Sequence, residues 1–135
     1  MDRCVTMDGV QARLLALVAI GGAVGSVARY AVAGVVTRGD FPWGTFTVNL
    51  VGSFSLGLLF FLFLQTGYSS PELRTVLFIG FFGGFTTMSA FSLETVSLLV
   101  EAQWALATAN VFLNTGLCVF GALLGRAAGL ALGGA

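Results

Sequence analysis

Two glycines and two threonines interrupt the third long apolar segment of this chain. The segment covers Val76–Val100, which is long enough to span a bilayer at roughly 20 residues per crossing. Gly83 and Gly84 lack the side chains that favour a helix, and Thr86 and Thr87 compete for backbone hydrogen bonds. Irregular backbone at membrane depth is tolerated only where it is buried in protein or lines a polar cavity. We therefore expect a break at the centre of a membrane helix, as in the ion sites of transporters and channels. A glycine kink that serves only helix packing is the alternative.

The composition identifies an integral membrane protein. Of 135 residues, 57% are hydrophobic and 9% are charged, which leaves too little polar surface for a soluble domain. Six basic and six acidic residues balance, so we expect no nucleic-acid partner. The chain has no His, and Cys4 and Cys118 lie far apart, so a zinc or haem site has no ligand set. We find no nucleophile–base pair and expect no enzymatic activity.

The hydropathy pattern predicts a single all-α membrane domain over residues 1–135, with four spans and no internal repeat. We expect the spans at about Leu14–Val36, Thr45–Leu64, Val76–Val100 and Trp104–Leu124. The N-terminus has neither the basic start nor the cleavage site of a signal peptide, so the first span is expected to remain. The small-residue tail, residues 127–135, is expected to be frayed or interfacial.

Four short spans leave little room for an internal pathway, so we expect an oligomer. Small residues four apart let helix backbones approach closely. They occur at Gly21 and Gly25, at Ser53 and Gly57, and at Gly121 and Gly125. The arginines near the span ends are almost balanced between the two sides of the membrane, which weakens the positive-inside preference. An antiparallel pair with dual topology and an ordinary protein with its N-terminus inside are both compatible with this pattern.

One arginine and three asparagines lie within the apolar spans. Arg29 in the first span either forms a positive vestibule that attracts anions or snorkels to the surface, with Asp40 or a lipid headgroup as its partner. Asn49 lies early in the second span. Asn110 and Asn114 are four residues apart in the fourth span and share one helix face. Amides in lipid need partners, so these asparagines should point into the protein, either along a pathway or as interhelical contacts.

A second polar face follows the expected break. Thr87, Phe91 and Glu94 are spaced so that they share one face of a helix, with Met88 beside them. The edge of an aromatic ring carries partial positive charge and can meet an anion. An ionised Glu94 would repel an anion, so this residue is expected near the mouth of a pathway, protonated, or paired with an arginine of another helix.

Four segments of the chain resemble the Fluc/CrcB family of fluoride channels. They are GGAVGSVARY (21–30), GTFTVNLVGSF (44–54), GFFGGFTTMSAFSLE (80–94) and NVFLN (110–114), in family order and spacing. The resemblance implies an antiparallel, dual-topology homodimer in the cell inner membrane, with two fluoride pores. It also implies a structural Na⁺ at the dimer interface, held by the backbone carbonyls of Gly84 and Thr87.

The resemblance also assigns pathway residues. By motif, Asn49 is the pore asparagine, Arg29 the vestibule arginine and Phe91 the second pore phenylalanine, while Ser89 and Glu94 match polar positions of the pathway. The family pattern TTFSTF reads TTMSAF here. Met88 therefore stands where the first pore phenylalanine is expected, and Ala90 replaces a threonine.

The function implied is passive export of fluoride from the cytoplasm, which confers fluoride resistance. The alternative is a small, dual-topology four-helix multidrug or cation antiporter. That chemistry calls for an embedded carboxylate in the first span, where this chain offers Arg29. A membrane scaffold subunit would explain the small-residue motifs but not the broken helix.

Overall fold

The chain folds into helices joined by short connections. A computed structural model describes residues 9–67 and 70–134, and within those ranges the backbone forms no strand. Four helical runs are long and apolar enough to cross a membrane: Gly9–Val36, Trp43–Thr66, Pro71–Val100 and Trp104–Gly133. The predicted all-helical fold with four membrane-spanning segments is therefore confirmed.

Five helices build these four spans. They are α1 (Gly9–Val36), α2 (Trp43–Thr66), α3 (71–85), α4 (Met88–Val100) and α5 (Trp104–Gly133), and α3 and α4 together form the third span. The helical hydrogen bonding widens to a π pattern over Thr75–Phe81 in α3 and over Leu113–Leu117 in α5. Such widened turns often occur at functional sites.

Local signals set several helix ends. Gly67 ends α2 in the left-handed conformation at φ 64°, which glycine adopts without steric cost. At the start of α3 the Ser70 hydroxyl accepts the Leu73 N–H (3.2 Å), and Pro71 occupies the first turn, where its missing N–H costs nothing. At the start of α4 the Thr87 hydroxyl accepts the Ala90 N–H (3.2 Å) in the same way.

The helices extend beyond the apolar spans read from the sequence, most of all at the end of the chain. We expected a frayed or interfacial tail from residue 127, yet α5 continues to Gly133. A Cβ added to Gly129 would collide with the Leu58 carbonyl of α2, so the two backbones touch at this point. This packing against α2 stabilises the helical conformation of the tail, which a short segment does not maintain by itself.

The small-residue motifs pack helices within one chain. Gly21 and Gly25 of α1 are buried against the backbone of α3, and α2 packs along α5 with Gly125 against the Phe54 carbonyl. Gly57 lies against Ala122 in the same interface. Close packing inside the protomer accounts for these motifs, so they give no separate support for an oligomer, which stays a prediction.

The buried side chains of the described residues are few and come mainly from α2, α3, α4 and α5. Val48 and Asn110 are the largest side chains that are fully buried. Cys118 is buried with a free thiol, whereas Cys4 lies outside the described residues. In α1 only Gly21 and Gly25 are buried, so most of its apolar surface faces outward, as expected of a helix in lipid.

Candidate functional site

The third span changes backbone conformation at its centre. The α3 helix ends at Phe85, and Thr86 (φ −85°, ψ 158°) and Thr87 (φ −152°, ψ 115°) are extended before α4 begins at Met88. The last carbonyls of a helix have no intrahelical partner, so this change frees backbone oxygens in the middle of the span. The two glycines have different surroundings: Gly83 is exposed, and Gly84 packs against the main chain of Gly22 in α1.

The Asn49 carboxamide holds the Thr87 backbone. Its Oδ1 accepts the Thr87 N–H (2.8 Å), and its Nδ2 donates to the Thr87 carbonyl oxygen (3.1 Å). The same Nδ2 donates to Asn114 Oδ1 (2.9 Å). One side chain of α2 thus satisfies both main-chain groups of the residue at the helix interruption and links it to α5.

The two asparagines of α5 continue these hydrogen bonds. Asn114 Nδ2 donates to Asn110 Oδ1 (2.8 Å) and to the Asn110 carbonyl (3.2 Å), and Asn110 Nδ2 donates to Thr95 Oγ1 (2.9 Å). Thr95 Oγ1 in turn donates to the Phe91 carbonyl (2.7 Å). Both asparagines are buried, as predicted for amides in a membrane, and the structure identifies their partners.

An open groove of about 330 Å³ lies on one side of Thr87. Phe91 forms a buried wall at 7% exposure, whereas Met88 is 69% exposed at the edge. Ser53 and Thr115 add hydroxyl groups to a lining that is otherwise mostly apolar. The lining also includes Asn49, Gly52, Leu56, Thr86, Asn114, Cys118 and Ala122.

A second groove, of about 390 Å³, lies on the other side of Thr87. Arg29 lines it together with Thr45 and Tyr30, so a fixed positive charge faces this cavity. Within residues 9–67 and 70–134 Arg29 makes no ion pair, and the partnership with Asp40 that we considered is not formed. Thr87 is the polar residue that lines both grooves.

Glu94 pairs with a hydroxyl rather than with an arginine. Thr45 Oγ1 donates to Glu94 Oε1 (2.6 Å), and Glu94 Oε2 is buried with no hydrogen-bond partner in the described parts of the chain. The arginine pairing that we considered for Glu94 is therefore absent from the described residues. Ser89 is exposed, and its hydroxyl lies 3.3 Å from Thr87 Oγ1 outside the lining of both grooves.

The roles of Thr45 and Thr95 were not predicted from the sequence. Thr45 lies four residues before Asn49 and therefore shares its helix face. This spacing could have identified Thr45 as a second polar residue that faces the protein. Thr95 lies four residues after Phe91, but nothing in the sequence identifies Asn110 as its partner. The predicted residues near the break, Asn49, Thr87, Phe91 and Asn114, come together, while Arg29 lines the second groove.

Comparisons with known proteins identify the family of this chain. Residues 16–126 match the family model described as CrcB-like protein, Camphor Resistance (CrcB). The chain is 46% identical over 118 residues to the fluoride-specific ion channel FluC of Magnetococcus marinus, covering 85% of this chain and 96% of that protein. The FluC proteins of Geobacter sulfurreducens and Shewanella baltica are 47% and 44% identical, over 80% and 83% of this chain and 90% and 92% of their own lengths. The chain therefore belongs to the CrcB-like protein family.

Proposed function

We propose that this multi-pass membrane protein is a passive fluoride channel that exports F⁻ from the cytoplasm across the cell inner membrane. The observation that carries the proposal is the family match over residues 16–126, which contain every residue that lines the two grooves. The curated relatives that cover most of the chain are named fluoride-specific ion channels. We further propose that the channel confers fluoride resistance.

The chemistry of the grooves supports an anion pathway. An anion that leaves water needs groups that replace its hydration shell. Arg29 provides positive charge on one side of Thr87, and hydroxyl groups and the Phe91 ring lie on the other. The edge of a phenylalanine ring is positive and can face an anion. We assign Arg29, Met88 and Phe91 to the pathway with Asn49 and Asn114 in the groove lining, and Ser89, Glu94 and Asn110 to its polar surroundings.

The antiporter alternative is disfavoured. It calls for an embedded carboxylate in the first span, where α1 carries Arg29, and the curated relatives are named channels. The expectation that the chain is not an enzyme is confirmed by the same family membership.

We propose that the working unit is an antiparallel homodimer with dual topology. Both grooves are open to the outside of the single chain, so a second copy is needed to enclose them in protein. Arg74 and Arg126 stack on the neighbouring Phe60 and Phe61 of α2 and thus lie at the same membrane side, where Arg13 at the start of α1 also lies near Glu72. Arg29 and Arg38 lie towards the other side. This near balance of basic residues leaves orientation weakly determined.

We also propose that the backbone carbonyls of Gly84 and Thr87 hold a structural Na⁺ at the dimer interface. The residues fit such an ion, because Gly84 lies in the last turn of α3, where carbonyls lose their helical partners, and a carbonyl oxygen accepts twice. Oxygen ligands suit a hard alkali cation. When bound, Na⁺ would add positive charge close to the anion path, and the chain's own contribution is to hold these two carbonyls in place.

Efflux from proteoliposomes loaded with fluoride or chloride tests the function. We expect rapid fluoride efflux and no chloride efflux, with protein-free liposomes as the control. Equal rates for both anions, or no fluoride efflux at all, would refute the proposed selectivity. Dual topology is tested separately with single engineered cysteines in each terminal segment, in a background without Cys4 and Cys118. Labelling from only one side of the membrane would contradict the antiparallel dimer.

A further inference from the structure

A continuous series of hydrogen bonds leaves the start of α4, crosses α2 and α5, and returns to α4. We define this relay by its members in order: Thr87 N–H, Asn49, Asn114, Asn110, Thr95 and the Phe91 carbonyl. We propose that the relay fixes the Thr87 backbone between the two grooves, and that Asn49 is its positioning residue rather than a donor to the anion. This inference rests on the proposed channel function.

Backbone groups at both ends determine the direction of the relay. A backbone N–H can only donate, so the Asn49 oxygen must face Thr87 N–H, and a carbonyl can only accept, so the Asn49 nitrogen must face the Thr87 carbonyl. Asn114 then has to present its oxygen to Asn49 and its nitrogen to Asn110. At the other end the Phe91 carbonyl accepts from Thr95, whose oxygen accepts from Asn110. Every amide orientation is thus determined by its neighbours.

The relay uses the amide hydrogens that an anion would need. A primary carboxamide has two N–H donors, and those of Asn49 are directed to the Thr87 carbonyl and to Asn114. The acceptors of Asn114 Nδ2 both belong to Asn110, which is completely buried. In this arrangement Asn49 lines the groove without an amide hydrogen directed into it.

The position of Thr87 explains why such a constraint matters. Thr87 lines both grooves, and its carbonyl is one of the two proposed Na⁺ ligands. Hydrogen bonds to both its N–H and its carbonyl fix the orientation of the two peptide planes that meet there. The relay ends at the Phe91 carbonyl and so also holds the first turn of α4, whose Phe91 ring forms the buried wall of the first groove. Linked hydrogen bonds strengthen one another in a low-dielectric interior, so losing one member loosens the others.

The sequence provides a selective probe of the Thr87 amide. Thr86–Thr87 is the one Thr–Thr dipeptide in the chain. Protein grown with threonine labelled with ¹³C at the carbonyl and with ¹⁵N therefore gives a single carbon–nitrogen coupled signal, that of the Thr87 N–H. Hydrogen exchange of this amide is measured on the full-length protein in detergent micelles, first in fluoride-free buffer and then with added sodium fluoride. Proteoliposome fluoride efflux is measured for the same variants.

The relay predicts a specific pattern of exchange. The Thr87 amide should be protected in wild type, and Asn49→Leu should accelerate its exchange about tenfold, the effect of losing one hydrogen bond of this kind. Asn49→Asp keeps an acceptor for Thr87 N–H but loses the donors to the Thr87 carbonyl and to Asn114, so exchange should be faster than in wild type and slower than in Asn49→Leu. Ser92→Ala removes a hydroxyl of α4 that donates to the Met88 carbonyl outside the relay, and should leave the Thr87 signal unchanged.

Two results would overturn the inference. One is an Asn49→Leu protein in which Thr87 exchanges as slowly as in wild type. The other needs no variant: if sodium fluoride accelerates Thr87 exchange in wild type, Asn49 leaves Thr87 to bind the anion. Protection that is independent of fluoride supports the relay. A wild-type protein with a protected Thr87 amide and no fluoride efflux would refute the proposed function and leave the relay intact.

Discussion

The hydrogen bond between Thr45 and Glu94 is open to a quantitative test. Thr45→Val keeps the shape of the side chain and removes the hydroxyl that donates to Glu94 Oε1 at 2.6 Å. Because Glu94 Oε2 is already without a partner in the described chain, the substitution leaves the whole carboxyl group unsatisfied. Leaving a buried polar group without its hydrogen bond costs about 1–3 kcal/mol, and we expect the free energy of unfolding to fall by that amount.

A double-mutant cycle isolates this interaction from other effects of the substitution. The free energy of unfolding is measured by denaturant titration in mixed micelles, at one protein concentration, for Thr45→Val, Glu94→Leu and the double variant. Thr45→Val should cost about 1–3 kcal/mol in wild type and almost nothing in the Glu94→Leu background. Thr47→Val is the matched control, since Thr47 makes no side-chain hydrogen bond in the described chain. A coupling energy of zero, or an equal loss in Thr47→Val, would refute this reasoning.

Three further predictions concern the pathway. Asn49→Asp should abolish fluoride efflux while the dimer persists on size-exclusion chromatography, because a carboxylate loses both amide donors and adds negative charge; retained efflux would remove Asn49 from the site. Met88→Phe should conduct like wild type and Phe91→Ile much more slowly, since Phe91 forms the buried wall and Met88 is exposed; wild-type efflux from Met88→Ala would exclude residue 88 from the pathway. Thr87→Ser keeps the carbonyl and should be mild, whereas exchanging Na⁺ for a large organic cation should lower dimer stability. Gly84→Val should also lower efflux, but its collision with Gly22 accounts for that without an ion, so the cation exchange is the decisive measurement.

Most of the fold could be predicted from the apolar runs in the sequence and from the glycine and threonine residues that interrupt them. Apolar runs predicted four spans, and four helical runs long enough to cross a membrane are present. The paired glycines and threonines led us to expect a break, and the structure has extended backbone at Thr86 and Thr87. The helix ends were less predictable, as α5 shows, because a helix continues past its apolar core wherever it still packs against a neighbour.

The candidate site was predictable in its members but not in its connections. Helical spacing placed Asn110 and Asn114 on one face and required partners within the protein. Helical spacing could not show which polar groups of the other three spans are the hydrogen-bond partners of these asparagines. Glu94 pairs with Thr45 rather than with an arginine because of how α4 is placed relative to α1 and α2. Residue spacing along a single helix carries no information about that placement.

The sequence by itself therefore determined that the chain resides in a membrane, how many times it spans and which polar side chains must avoid lipid. These properties depend on composition and on spacing along one helix, which are local. The tertiary structure alone decided that the small-residue motifs pack against helices of the same chain, and that the Asn49 side chain holds the Thr87 backbone. Both outcomes depend on which helix faces meet across tens of residues of sequence, and the geometry of packing sets those contacts.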